Sequence, residues 1–434
     1  MIVMKFGGTS LGSAERIKKA ATIIQSKLDD KPTIVLSAIG GVTDLLIEAT
    51  NRAAEGKVDI SAIKKKHLEI VNELGIDTSV FAELDEFETL IRSYSGEVNR
   101  MQMDEAVSFG ERICTKIMAA YLIKEGVPAK AINAYDIGMQ TDSRHGNATL
   151  LDSSYTNLKN QLSSISELAI ITGFIAKSPQ GKITTFDRGG SDYTAAIIGA
   201  AIGAKEIQIW TDVTGVMSAD PRIVSNAHTI SEMSFDEAAE LSYFGAKVLH
   251  PKTILPAVEH DIPVIVLNTL DPTVMGTRIV NKSEESKEIV KAISGKKGIT
   301  VVNVSTSRMI AAPGFLADLF GVFAKHQISV DMLATSEVSV SLTVDNAEQL
   351  IPIMDELKAL GDVTVAPNHA IIIVVGEGFK KQIGKAAPIF EVLAQNEIHV
   401  EMISQGASEI NIGFVVEEDN AEKAVKVLHK HYFG

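Results

Sequence analysis

The chain has 434 residues, 45% hydrophobic and 22% charged, the proportions of a soluble globular protein, and its length suggests about three domains at roughly 150 residues each. A net charge of −14 argues against nucleic acid or an anionic membrane as the main partner, so an anionic substrate needs local positive charge and backbone dipoles to capture it. The single cysteine, Cys114, cannot form an internal disulfide, which fits a reducing compartment.

Residues 2–6 read as a buried strand running straight into Gly7-Gly8, so no secretory signal is expected and the protein should be cytoplasmic. Ser13 can cap a helix whose apolar face uses Ile17, Ala21, Ile24 and Leu28. A second strand, Thr33 to Ser37, meets Gly40-Gly41, and Thr43 or Asp44 is expected to cap the helix that follows. This strand, glycine loop, helix order is that of an α/β layered fold with sites at the carboxyl ends of strands. From about Ala54 to Arg100 helical periodicity takes over, and Lys64-Lys65-Lys66 and Glu83 to Glu88 read as solvated charges. Strands resume at Ala129–Asn133 and Leu168–Thr172, followed by a Ser178-Pro179-Gln180-Gly181 turn. Cys114, in a helical stretch, reads as core packing. A helix over Tyr193–Ile202 and a strand over Glu206–Trp210 come next. The longest apolar run, Ala195 to Ala204, is about half of what spans a bilayer. Ser283 to Lys287 is polar and suits a linker.

The C-terminal part repeats itself at an offset of 70 residues. Leu319/Ile389, Phe320/Phe390, Val322/Val392, Ala324/Ala394, Ile328/Ile398, Val330/Val400, Asp331/Glu401, Met332/Met402 and Leu333/Ile403 correspond. Each copy runs helix, turn, strand, turn and an alternating strand such as Val338-Ser339-Val340-Ser341-Leu342. Two copies of a small α+β unit follow from this. His429 and His431, at the end, read as a solvated tail.

Two glycine-broken segments carry the chemistry: Lys5-Phe6-Gly7-Gly8-Thr9-Ser10 and Phe186-Asp187-Arg188-Gly189-Gly190-Ser191-Asp192. Paired glycines let backbone N–H groups approach a ligand, and a helix start favours an anion. Lysine beside one pair, and arginine with two aspartates around the other, supply the charges that phosphoryl transfer needs. A Walker P-loop is missing, because Ser13 stands where its lysine should follow Gly12. There is no kinase-type HRD segment and no His/Cys/Glu spacing for zinc.

These segments, with Trp210-Thr211-Asp212, Asp220-Pro221-Arg222 and Phe244-Gly245-Ala246-Lys247, resemble the aspartokinases of the amino-acid kinase superfamily, and the C-terminal repeat resembles their paired ACT modules. The resemblance covers essentially the whole chain. It implies a carbamate-kinase-like three-layer α/β/α catalytic domain over 1–285, with a helical insertion at about 54–105. Two ferredoxin-like α+β ACT modules would fill 290–434, the first about 306–367 and the second about 368–434, completed by a strand near 298–305. The reaction implied is ATP plus L-aspartate, with magnesium, to 4-phospho-L-aspartate and ADP, without a homoserine dehydrogenase domain.

The same resemblance assigns residues. Lys5 would neutralise the migrating phosphoryl group, helped by Gly7 and Gly8 N–H groups, and Asp192 would orient Lys5 or serve the magnesium. Arg188 would fork onto the α-carboxylate of aspartate and Glu111 would meet its ammonium group. Ser37, Thr43, Gly190 and Ser191 complete the acceptor site; Thr211, Asp212, Arg222 and Lys247 would line the ATP side. Lysine, or threonine instead, would bind the first ACT module at Met309, Gly314, Phe315, Leu316, Ser329, Val330, Asp331, Thr335, Ser336 and Glu337, with Asp331 or Glu337 pairing its ammonium. Pairing of ACT modules implies a homodimer or a dimer of dimers. Met217 and Ala312 depart from the family pattern, at an aromatic position near the nucleotide and at a hydroxyl position of the effector site. A sister kinase acting on glutamate or a nucleoside monophosphate, or a catalytically dead amino-acid sensor, are the rival readings.

Overall fold

The computed structural model describes residues 1–77, 82–244, 249–283, 289–309, 313–379 and 383–434. The chain forms two compact units. The first comprises Met1–Val216, Ser231–Phe235 and the chain up to Lys282; the second comprises Met217–Ile230, the helix from Asp236 and the chain from Ser283 to Gly434.

The first unit is built on an eight-stranded sheet. Its strands are β1 (Ile2–Phe6), β2 (Pro32–Leu36), β3 (Ala129–Ile132) and β4 (Leu168–Thr172), then, after a separate two-stranded ribbon of β5 (Ile175–Lys177) and β6 (Ile183–Thr185), β7 (Ile207–Thr211), β8 (Glu232–Ser234), β9 (Val264–Asn268) and β10 (Thr277–Val280). Their order is β3-β4-β2-β1-β7-β9-β10-β8, and every neighbouring pair is parallel except β9–β10. Every residue of β1 and β2 is buried, as parallel strands covered on both faces require. The register sets Lys5 opposite Val35 and Ile209, and Phe6 opposite Leu36 and Trp210. Gly7, Ser37, Gly173 and Asp212 therefore all follow the carboxyl ends of adjacent strands.

The Ser13 hydroxyl caps helix Ala14–Gln25 by accepting the Arg16 N–H. The next helix differs from expectation: it is Val42–Ala54, and neither Thr43 nor Asp44 caps it. Gly41, at φ 77°, turns the chain directly into the first helical residue. The insertion forms helices Ser61–Leu74, Ala82–Arg92 and Arg100–Val107, followed by Phe109–Lys124. Cys114 is buried there as core. Glu83 is not a solvated charge: it is buried between Arg112, at 2.5 Å, and Lys116. Lys66 likewise reaches in to donate to the Gly40 carbonyl.

The second unit is built on a six-stranded antiparallel sheet: β11 (Ala292–Ser305), β12 (Leu333–Thr335), β13 (Ser339–Val344), β14 (Asp362–Val375), β15 (Met402–Ser404) and β16 (Asn411–Glu417), in the order β12-β13-β11-β14-β16-β15. The 70-residue repeat appears as two cores on this sheet. One is centred on Leu319, Phe323, Val340 and Leu342, the other on Ile389, Leu393, Ile412 and Phe414. Residues 300–305 of β11 pair with β13 in the first module. It is Ala292–Lys297, not the stretch near 298–305, that lies beside Ala370–Val375 of the second module. His429 is no solvated tail: it is buried, and its Nε2 lies 2.9 Å from the Ser218 hydroxyl. No described helix is long and apolar enough to cross a membrane.

Candidate active site

Lys5 is the penultimate residue of the fully buried β1 and is itself only 8% exposed, which is costly for an ammonium unless an opposite charge meets it. Asp192 does so, with Oδ1 2.6 Å from Nζ. The contact is an ion pair rather than an aligned hydrogen bond, since Oδ1 has no hydrogen-bond partner among the described residues. Asp192 sits in the first turn of helix Gly190–Ile202, entered through Gly189 at φ 79°. That helix is small-residue-rich and buried on nearly all sides. A Cβ at Gly199 would stand 2.6 Å from Ile207, so the glycine lets the helix settle onto β7. The packing thereby brings two segments 187 positions apart into one ion pair.

The glycines fit the same logic. A Cβ on Gly8 would lie 2.8 Å from the Ala38 carbonyl, and one on Gly40 would lie 2.9 Å from the Gly8 carbonyl. The two loops interlock backbone to backbone, fastened by the Gly40 N–H to the Gly8 carbonyl at 3.0 Å. The N–H of Gly7 is not free for a phosphate: it donates to the Trp210 carbonyl at 3.1 Å, extending the β1–β7 ladder. Gly8 is the glycine left to offer an N–H.

Glu111 joins this cluster from helix Phe109–Lys124. Its Oε1 accepts the Ala38 N–H at 3.1 Å, while Oε2 is buried without a hydrogen-bond partner. Burial pushes the carboxyl up to about 8, only partly offset by the Ala38 N–H and its own backbone N–H. Ser37 and Thr43, both half-buried, flank the Ala38–Gly41 loop. Ser191 is buried against Gly173, where a Cβ would come within 2.6 Å of its side chain. Gly190 packs against Phe174 and Phe186. Arg188 is exposed, its backbone N–H held by the Asp187 carboxylate at 2.7 Å. Thr211 and Asp212, at the end of β7, are joined by a 3.2 Å hydrogen bond.

Two expected ATP-side residues stand apart from this description. Arg222 belongs to the second unit, where its guanidinium forks onto the Asp220 carboxylate at 2.6 and 3.0 Å. Lys247 lies outside the described residues, as do Ala312 and most of the expected linker. Met217, also in the second unit, bridges to Thr229.

In the second unit, Met309, Phe315 and Val330 pack on the first module's core. Gly314, at φ 100°, opens helix Phe315–Lys325, and Leu316 is exposed on it. Ser329 precedes β12, Thr335 ends it, and Ser336 and Glu337 lie in the exposed turn into β13. Asp331 is not open for pairing: Lys296 lies at 2.8 Å and the Tyr243 hydroxyl at 2.5 Å.

Sequence reasoning missed Ala38, whose backbone links the glycine loop to Glu111, and Asp104, a buried carboxylate with three donors. Backbone roles leave no residue-type signal. Asp104 carried none either: set between Met103 and Glu105, it reads as an ordinary helix acid.

Comparison with known proteins places this geometry. The amino acid kinase family matches residues 1–268, and the ACT domain family matches 302–349 and 372–432. The chain is 40% identical to "Aspartokinase 3, chloroplastic" of Arabidopsis thaliana, over 99% of this chain and 81% of that one. Solved structures of E. coli aspartokinase III cover the whole of both chains: its complex with lysine and aspartate at 35% identity and TM-score 0.83, and that with aspartate and ADP at 34% and 0.82. Aspartate kinase from Clostridium acetobutylicum matches at 32% identity and TM-score 0.89, again over all of both chains.

Proposed function

The chain belongs to the amino acid kinase family, as an aspartokinase carrying ACT domains, and on that premise we propose how its residues divide the work. It transfers the terminal phosphoryl group of ATP to the side-chain carboxylate of L-aspartate, giving 4-phospho-L-aspartate and ADP. A carboxylate oxygen attacks the γ-phosphorus as the bond to the ADP oxygen breaks. The nucleophile is already ionised, with an ordinary pKa of about 3.9, so no general base is needed.

Lys5 stabilises the charge on the transferring phosphoryl oxygens, with the Gly8 N–H beside it. Asp192 fixes Lys5 where the developing charge appears. The supporting observation is the 2.6 Å pair at the carboxyl end of the central strand. Glu111 takes the ammonium group of aspartate on its unpartnered Oε2, and Arg188 takes the α-carboxylate with its planar fork. Ser37, Thr43, Gly190 and Ser191 complete that acceptor pocket. Thr211 and Asp212, at the end of β7, serve the nucleotide. The described residues hold no group of three or more His, Cys, Asp or Glu side chains suited to a metal. Magnesium, which offsets phosphate charge, would be held mainly by the nucleotide's own oxygens, with Asp192 as the protein carboxylate beside Lys5.

Residues 1–285 form the catalytic domain and 290–434 the regulatory modules. Lysine binding at the first module lowers activity, and the modules join chains into a homodimer or a dimer of dimers. An ADP-release assay over a panel of amino acids, with hydroxylamine to trap an acyl phosphate, tests the acceptor. Aspartate alone should give matched ADP and hydroxamate; equal turnover with glutamate overturns the assignment.

A further inference from the structure

We infer that Asp104 is a positioning residue of the aspartate site, clamping together the two segments that carry Glu111 and Arg188. Asp104 is 3% exposed on helix Arg100–Val107, whose start is fixed by a reciprocal Asn99–Gln102 capping box. Its carboxylate is saturated with donors. Oδ1 accepts the Thr185 hydroxyl at 2.6 Å; Oδ2 accepts the Gly146 N–H at 3.0 Å and lies 2.8 Å from His145 Nδ1. A buried carboxylate is tolerated only when so served.

What those donors belong to gives the residue its purpose. Thr185 closes β6, three residues before Arg188, and its carbonyl accepts the Ala148 N–H at 3.0 Å. Thr185 is thus gripped on one side by Asp104 and on the other by the 145–148 loop. The next residue, Phe186, is fastened through its N–H to the Phe174 carbonyl at 3.0 Å. The chain leaves this grip directly into Asp187-Arg188-Gly189. On its own side, Asp104 lies seven residues before Glu111, with only Ser108 between the two helices. One carboxylate thereby sets the spacing between the fork for the α-carboxylate and the acid for the ammonium group. Arg188 is exposed and makes no ion pair among the described residues, so its placement depends on the backbone that delivers it.

This inference rests on the reading that Arg188 and Glu111 hold the acceptor, and the test separates the two. In Asp104→Asn the amide can accept on one side only: either its NH2 opposes the Gly146 N–H, or it faces Thr185 and turns that hydroxyl from donor to acceptor, and either way the charge that holds the three donors is lost. The full-length enzyme should show aspartate KM raised by about tenfold, with ATP KM within about twofold of wild type. Thr185→Val, which deletes one donor and leaves the carboxylate intact, should move aspartate KM in the same direction by a smaller factor, and it carries the test if Asp104→Asn fails to fold. Arg188→Lys, assayed alongside, must itself raise aspartate KM. If Arg188→Lys does so while the folded Asp104 and Thr185 variants leave aspartate KM unchanged, or shift both KM values together, Asp104 is only structural and the inference fails. If Arg188→Lys leaves aspartate KM unchanged, the reading beneath the inference fails, and the inference with it.

Discussion

Tyr243 donates its hydroxyl to one oxygen of Asp331 at 2.5 Å, and Lys296 occupies the other at 2.8 Å. The acid expected to greet an effector is therefore already neutralised inside the second unit, and Lys296 reaches Asp345 as well. Helix Phe235–Tyr243 is tied to the regulatory sheet by this contact and by two more. Glu237 meets Lys291 at 3.0 Å with both side chains buried, and Glu240 accepts from Asn411. A helix held at three points by regulatory residues can pass effector binding onward only if the effector disturbs those contacts.

Lysine reaching Asp331 must compete with Lys296, whereas Glu337 is exposed and offers itself directly. Lys296→Met should lower the half-inhibitory lysine concentration, by up to about fivefold for loss of one partly exposed ion pair, with kcat near wild type. Glu337→Ala should relieve inhibition. Inhibition curves check both; unchanged curves for the pair remove these two acids from the effector site.

Glu111 predicts a pH dependence with a definite sign. In the free enzyme its carboxyl stays protonated up to about 8, because it is buried. An ammonium group favours the ionised form, so aspartate binding releases a proton below that pH. Aspartate KM should fall as pH rises towards 8, by at most about tenfold per unit, and level off above it. The raised pKa also means that this group's contribution to the ligand-free fold is present below its ordinary carboxyl range and lost as pH climbs through 8. The aspartate-induced rise in Tm should accordingly grow with pH. Glu111→Gln should flatten both profiles, and a wild-type KM independent of pH contradicts the role.

Arg188→Lys should damage aspartate use while sparing ATP, because an ammonium cannot reproduce a planar two-pronged contact. Steady-state kinetics with each substrate varied in turn measures it. A drop in kcat/KM for ATP equal to that for aspartate would make Arg188 a general structural residue.

Much of the catalytic unit was legible because its signals are local. The strand-glycine-helix order, the Ser13 cap and the glycine pairs each follow from a few neighbouring residues, and the 70-residue repeat emerged as two matching cores. What the sequence hid was tertiary. Gly7 looked like a phosphate donor until the β1–β7 ladder claimed its N–H. Glu83 and His429 looked solvated because their partners, Arg112 with Lys116 and Ser218, are remote or carry no pattern. Gly41, chosen for its positive φ, displaced the polar caps expected two or three residues later. Asp331 was read as an open acid, but Lys296, which pairs with it from 35 positions earlier, had no periodic relation to it.

The most direct test of the account is the turnover of Lys5→Ala with aspartate and ATP. Lys5 acts where charge develops, so kcat should fall by about 10²–10³, equivalent to ~2.7–4 kcal/mol, while aspartate KM stays within about threefold. A variant that keeps near-wild-type kcat, or that loses activity only through a raised aspartate KM, contradicts the claim that the Lys5–Asp192 pair carries the phosphoryl transfer.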